Sequence, residues 1–186
     1  MIIPPIKLAR GGRLNREIIQ LICRNSRTPE ERKGDLAAQM ASIRVGEKRL
    51  QEVVQRYGMA ETLEHMAALL DYSERVTRQA IRRIPDGVYR VKDYMDDDGL
   101  SEQLVPIALA MTIAGDELTL DFTGTSPQRP GCINTPQAVT VSACLYVIRC
   151  LAGDDAPANQ GCLRPVRIVT PEGTLVNPQP QRGVAG

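Results

Sequence analysis

The sequence predicts an α+β fold, an N-terminal helical hairpin followed by a mostly antiparallel β region with one buried helix. Two observations carry this. Apolar residues recur at helical spacing as far as Ile84, and after Gly87 the period changes to strand alternation. The helical and strand patterns are also segregated along the chain, which argues against a doubly wound parallel sheet. With 186 residues there is room for one domain or a domain with an appendage. The expected division is a helical segment at 1–84 and a β-rich segment at 85–186, together one compact unit.

Taken in order, Pro4-Pro5 forbids a helix and Gly11-Gly12 marks a turn, so residues 1–13 form an extended entry. LNREIIQLICRN (14–25) sets Leu14, Ile18, Leu21 and Ile22 on one helical face. TPEERKGDLAAQM opens a long helix with Thr28 as N-cap, Pro29 at the first helical position and Glu31 completing a capping box. The buried stripe of this helix is expected to be Leu36, Met40, Ile43, Leu50, Val53 and Tyr57, with Gly58 as its C-cap. A further helix over 60–84 turns Leu63, Met66, Leu70, Val76, Ala80 and Ile84 inward, and IPDG stops it. Almost nothing links the two long helices, so an antiparallel hairpin is the expected packing.

VYRVKDYMDDDG (88–99) alternates and then turns. LVPIALAMTIAGDELTLDF (104–122) reads as two strands joined at Gly115-Asp116. VTVSACLYVIRCLAG (139–153) is apolar enough for a buried helix, although its β-branched start leaves a strand open. PVRIVTPEGTLVNP (165–178) reads as strand–turn–strand. The closing NPQPQRGVAG completes no element, which leaves a tail or a piece of a longer chain.

Composition excludes several function classes. The net charge of +1 sets up no field for nucleic acid or an anionic membrane surface. Aromatic residues at 3% supply no stacking platform for single strands. No stretch reaches the roughly 18 uncharged apolar residues of a membrane span. MIIPPIKLARGG has no basic segment followed by an apolar core, so the expected location is the cytoplasm. Cys23, Cys132, Cys144, Cys150 and Cys162 form no C-x-x-C pair, and reduced, mostly buried thiols are expected.

The motifs weigh more towards architecture than chemistry. DDDG (96–99) fails the calcium-loop spacing and reads as a solvated hairpin turn. His65 is the one histidine, beside Glu61 and Glu64, and is expected to be a partly exposed helix residue, with no metal site assigned. GTSPQ lacks the second glycine of a nucleophile elbow, and no Gly-Lys-Ser/Thr phosphate loop is present. The loop DFTGTSPQRPGCIN (121–134) nevertheless gathers many hydrogen-bonding groups at a strand end, where sites often sit, so both readings stand. Arg27 and Asp35 in NSRTPEERKGDLAAQ belong either to a solvated helix start or to a polar site or subunit contact.

IPPIKL (3–8), NSRTPEERKGDLAAQ (25–39), IPDGVYRVKDYMDDDG (84–99), DFTGTSPQRPGCIN (121–134) and DAPANQGCLRPVRIVTPEGTLVNP (155–178) occur in that order. As a set they resemble the B-type subunit of the hydantoinase/5-oxoprolinase family, related also to ketone carboxylase subunits, and the resemblance runs over essentially the whole chain. It implies an ATP-dependent enzyme that opens cyclic amide rings, with ATP bound by an A-type partner subunit or domain. Phosphorylating a lactam oxygen makes it a leaving group, and placed donors must then stabilise the developing charge. A ketone carboxylase subunit and a non-catalytic assembly module are the alternatives. B-type subunits are much longer, so the chain is expected to be an internal piece and inactive alone. The family's divalent metal would belong to an N-terminal part that this sequence does not match, so no metal ligand is assigned. Asp121, Thr125 and Asn134 are the catalytic candidates, with Thr123 and Ser126 beside them. Asn159 and Arg164 are the substrate-binding candidates, Arg164 as a planar fork for a carboxylate or phosphate.

Overall fold

The computed structural model describes residues 3–153, 157–180 and 182–184. Asp155 and Ala156 of the 155–178 motif, and Gln181, Ala185 and Gly186 of the closing stretch, lie outside the described residues. The chain separates into two packed units, Met1–Leu63 and Glu64–Gly186.

In the first unit, β1 (Ala9–Arg10) and β2 (Arg13–Leu14) pair antiparallel across Gly11 and Gly12. α1 (Arg16–Arg24) starts at Asn15, whose side-chain oxygen accepts the Ile18 N–H at 3.3 Å. α2 (Pro29–Tyr57) does begin with Pro29, but Thr28 makes no side-chain cap bond, so the expected capping box is not formed. The acids Glu30 and Glu31 remain in the first turn, where the helix dipole favours them. Gly58 (φ 84°) ends the helix, its N–H donating to Val54 O at 2.8 Å. A left-handed φ of this kind is the reason a glycine stands there.

The expected buried stripe of α2 is not buried. No residue of the helix is buried. Leu36 and Met40 are half-buried, while Ile43, Leu50, Val53 and Tyr57 are exposed. The cleft of about 1250 Å³ between α1 and α2 reaches only as far as Arg44 along α2. Periodicity reports that a face wants cover, and α1 is too short to supply it beyond that point.

α3 (Met59–Ile81) follows directly after Gly58. Its Ala80 and Ile81 are buried and Ile84 is half-buried, whereas Leu63 and Met66, expected inward, are exposed. In the second unit, β3 (Gly87–Met95), β4 (Val105–Ala114), β5 (Glu117–Asp121) and β6 (Val166–Val169) form one sheet in the order β3-β4-β5-β6. The first two pairings are antiparallel and β5–β6 is parallel. A parallel pair needs a crossover, and α4 (Gln137–Ala152) lies in that connection. Ile81 of α3, Ile113 of β4, Leu118 and Leu120 of β5, and Cys144 and Ile148 of α4 make the core.

Three further expectations are corrected. Residues 173–178 form isolated bridges and not a second strand, because their backbone is tied to the 126–135 region instead: Leu175 N donates to Ser126 O and Thr135 N to Leu175 O. Asp98 of DDDG is buried and not solvated, since its Oδ1 accepts the Leu100 N–H, the Ser101 N–H and the Ser101 hydroxyl. All five cysteines are free, but only Cys144 and Cys162 are buried, and burial pushes the Cys144 thiol up. No helix among the described residues is long and apolar enough to cross a membrane.

Candidate functional site

The loop that follows β5 is built by its own polar side chains. Asp121 accepts the Thr123 N–H at 2.9 Å, which turns the chain. Hydrogen bonds from Thr123, with the nearby Arg167 charge, hold the Asp121 carboxyl below the usual carboxylate range. Gly124 sits at φ 96°, where a Cβ would come within 3.5 Å of Ala108 Cβ. Buried Thr125 then stitches the loop to β4, its Oγ1 accepting from Ala108 N at 3.1 Å and donating to Ala108 O at 3.0 Å. Ser126 N donates to Pro106 O at 2.8 Å and Gln128 N to Gly173 O at 2.9 Å.

Asn134 is the knot of this region. It is buried, its Oδ1 accepts the Arg129 N–H at 2.7 Å, and its Nδ2 faces Arg129 O, Gly131 O and Gly183 O at 2.8–3.0 Å. Gly131 in turn lies against Asp98 O, where a Cβ would clash. The Nε of Arg129 is buried here without a partner, and Arg129 contributes its charge to Asp98.

The other two candidates lie elsewhere. Asn159 caps a short 3-10 turn (Gln160–Leu163), accepting from Gly161 N at 2.8 Å and donating to Ser73 Oγ of α3 at 2.8 Å. Arg164 Nη1 pairs with Asp71 at 2.6 Å and Glu74 at 3.1 Å, both on α3. Glu74 also meets Arg78, and Arg78 and Arg82 meet Asp116 in the β4–β5 turn. Hydrogen bonds from Arg78 and then Arg164 hold the Glu74 carboxyl low.

The structure thus brings Asp121, Thr125 and Asn134 into one loop system and Asn159 and Arg164 into one turn, but does not bring the two groups together. In register, Leu118 faces Val166 and Asp121 faces Val169, so the groups stand at opposite ends of β5. The ends of this strand are about 13 Å apart. Sequence reasoning reads Asp98 only as part of a solvated turn and does not find the Glu74–Arg78–Asp116 chain. The signals were an aspartate three residues before Ser101, and the i,i+4 spacing of Glu74 and Arg78.

No group of three or more His, Cys, Asp or Glu among the described residues is placed to hold a metal ion. The N–H groups of Thr123, Thr125, Ser126, Gln128 and Arg129 all donate within the chain and are not open to an anion.

Comparison with known proteins places the chain. The family model for hydantoinase B/oxoprolinase matches residues 1–186. A 5-oxoprolinase of Saccharomyces cerevisiae is 33% identical over 88% of this chain and 13% of its own length. The caprolactamase subunit beta of Pseudomonas jessenii is 32% identical over 95% of this chain and 30% of its own. The crystal structure of the ATP-dependent caprolactamase from that organism matches 99% of this chain and 32% of its own, with TM-score 0.82 and 30% identity. A nucleotide-free acetone carboxylase structure matches with TM-score 0.76 at 20% identity, over 96% of this chain and 25% of its own, and shares the fold. The chain spans less than a third of the length of each of these proteins. By the match over its whole length, it belongs to the hydantoinase B/oxoprolinase family.

Proposed function

We propose that the chain is part of the B-type subunit of an ATP-dependent hydrolase that opens cyclic amide rings, lactams or hydantoins, in the cytoplasm. The observation that carries this reading is the likeness in both fold and sequence, over nearly the whole chain, to an ATP-dependent caprolactamase. ATP would be bound by an A-type partner subunit and the divalent metal by another part of the B-type subunit, which agrees with the lack of a group of three or more His, Cys, Asp or Glu placed for a metal ion among the described residues. On this reading Asp121, Thr125 and Asn134 act as positioning residues that fix the 121–134 loop. Asn159 and Arg164 fix the 3-10 turn against α3. Both segments would then be rigid walls for chemistry completed by other parts of the assembly.

The test is ATP-coupled ring opening with 5-oxoproline, hydantoin and caprolactam. The chain is assayed alone, with an A-type partner, and together with that partner and the remaining B-type segments. Turnover is expected only in the last mixture. ATP turnover that requires bicarbonate and a ketone, with no ring opening, would overturn the hydrolase reading in favour of a carboxylase. Turnover by the chain with the A-type partner alone would show that the reacting groups lie within these residues.

A further inference from the structure

α4 is largely apolar, and only half of it is covered. Its sequence, QAVTVSACLYVIRCLA, holds a single charged residue, Arg149. Thr140, Cys144 and Ile148 are buried on one face. On the rest of its surface Val139, Tyr146, Val147 and Leu151 are exposed, Tyr146 at 71% and Val147 at 56%. Ala143 and Cys150 are exposed as well, and the polar Gln137, Ser142 and Arg149 border them. A contiguous apolar strip with a tyrosine on it, and no lysine or glutamate to solvate it, has the composition of a contact surface. Val139, Ala143, Tyr146 and Cys150 recur at steps of four, three and four, the spacing at which one helix receives the ridge of another.

Two occupants can be weighed by size. A strip of this length and width offers on the order of 250 Å², against the roughly 800 Å² per partner of a stable two-protein interface. A second copy seated on this strip alone is therefore too small a contact. A body that covers the strip as one portion of a larger packing surface suits it better. The solved caprolactamase chain supplies the scale, since the fold of this chain accounts for only 32% of it. We infer that the outer face of α4 packs against the part of a B-type subunit that lies outside the matched region. This rests on the B-type reading above, but its test does not use turnover.

The chain is co-expressed with the segments that flank the matched region in the Pseudomonas jessenii caprolactamase chain, produced as a separate polypeptide. The matched third of that caprolactamase serves as the positive control. Alkylation of Cys150, which lies on the outer face, is followed by peptide mapping. A one-to-one complex is expected in which Cys150 reacts at least tenfold more slowly than in the chain alone. The double substitution Tyr146→Arg, Val147→Asp should lower recovery of the complex at least tenfold. It should leave the thermal midpoint of the isolated chain unchanged, because both side chains are exposed there.

The inference is overturned if Cys150 stays as reactive in the complex as in the chain alone, or if the double variant is recovered as well as the unaltered chain. It is equally overturned if only the control forms a complex. Concentration-dependent protection of Cys150 in the chain by itself would assign the face to a second copy and overturn it too. A complex with Cys150 protected that shows no ATP-coupled ring opening when the A-type partner is added would remove the proposed function and leave this packing standing.

Discussion

The two ends of β5 are held by opposite means. At its C-terminal end, beyond Asp121, neutral side chains are buried and hydrogen-bonded to backbone: Thr125 to Ala108, and Asn134 to Arg129, Gly131 and Gly183. At its N-terminal end, charged side chains alternate across water-accessible space, from Asp71 through Arg164, Glu74 and Arg78 to Asp116 and Arg82. The difference is one of cost. A buried backbone group that loses its partner bears its full desolvation penalty, whereas an exposed ion pair is largely replaced by water and salt. Both ends look equally polar in the sequence, yet only the first should be intolerant of polar loss.

The largest effect should come from geometry at the N-terminal end. Gly161 is buried in the 3-10 turn, and a Cβ there would overlap the Leu70 carbonyl of α3, which is backbone and cannot swing aside. Gly161→Ala is expected to destabilise by about 3 kcal/mol, read as a lower urea midpoint. An unchanged midpoint would mean that the turn is not pressed on α3. Next comes Asn134→Ala, which strands an N–H and three carbonyls and is expected to cost about 2 kcal/mol. Hydrogen exchange should quicken at Arg129 N, whose acceptor is lost. If stability and exchange were both unaltered, the contrast between the two ends would fail.

How much of this was legible follows from the range of each signal. Elements whose cause is local were readable: α1 from its spacing, Gly58 as a cap, the Gly115-Asp116 bend, the alternation of Leu118 and Leu120. The knots were not. Asn134 bonds to Gly183, 49 positions away, and Arg164 to Asp71, 93 away, and no local pattern encodes such pairings. The stripe of α2 was legible as a stripe, but its burial was not, because period states a demand and not a supplier. The change of period near residue 84 and the division between packed units at 63/64 are also different things. One is set by backbone conformation and the other by which side chains meet.

Acid should sharpen the comparison. Asp98 is held below the usual carboxylate range by the amides of Leu100 and Ser101, with the Arg129 charge adding to them. Its folded value lies beneath the unfolded one of about 4, so the folded state binds fewer protons. The stabilisation is complete above the unfolded value and is lost as pH falls through the folded one. Asp98→Asn keeps an oxygen to accept these bonds but cannot titrate. Urea midpoints from pH 7 down to 3 should therefore fall less steeply for this variant than for the unaltered chain. Parallel curves would show that Asp98 does not carry this part of the acid response.

The smallest stability effect should be at Arg164, and there function separates two roles that geometry joins. Its side chain is 42% exposed and that of Asp71 58%. Arg164→Lys exchanges a planar fork for a point charge and should cost less than about 1 kcal/mol, with the difference shrinking as salt is raised. Stability alone would then class Arg164 as part of a surface network. In the assembled enzyme the same variant tests the substrate-clamp reading, since a fork aimed at a carboxylate or phosphate loses its second hydrogen bond. A raised KM or lowered kcat with unchanged stability would show that Asp71 and Glu74 hold the guanidinium in place for a ligand. Kinetics and stability both unmoved would leave Arg164 as a strut between the 3-10 turn and α3, and would take the N-terminal end of β5 out of the search for the reacting groups.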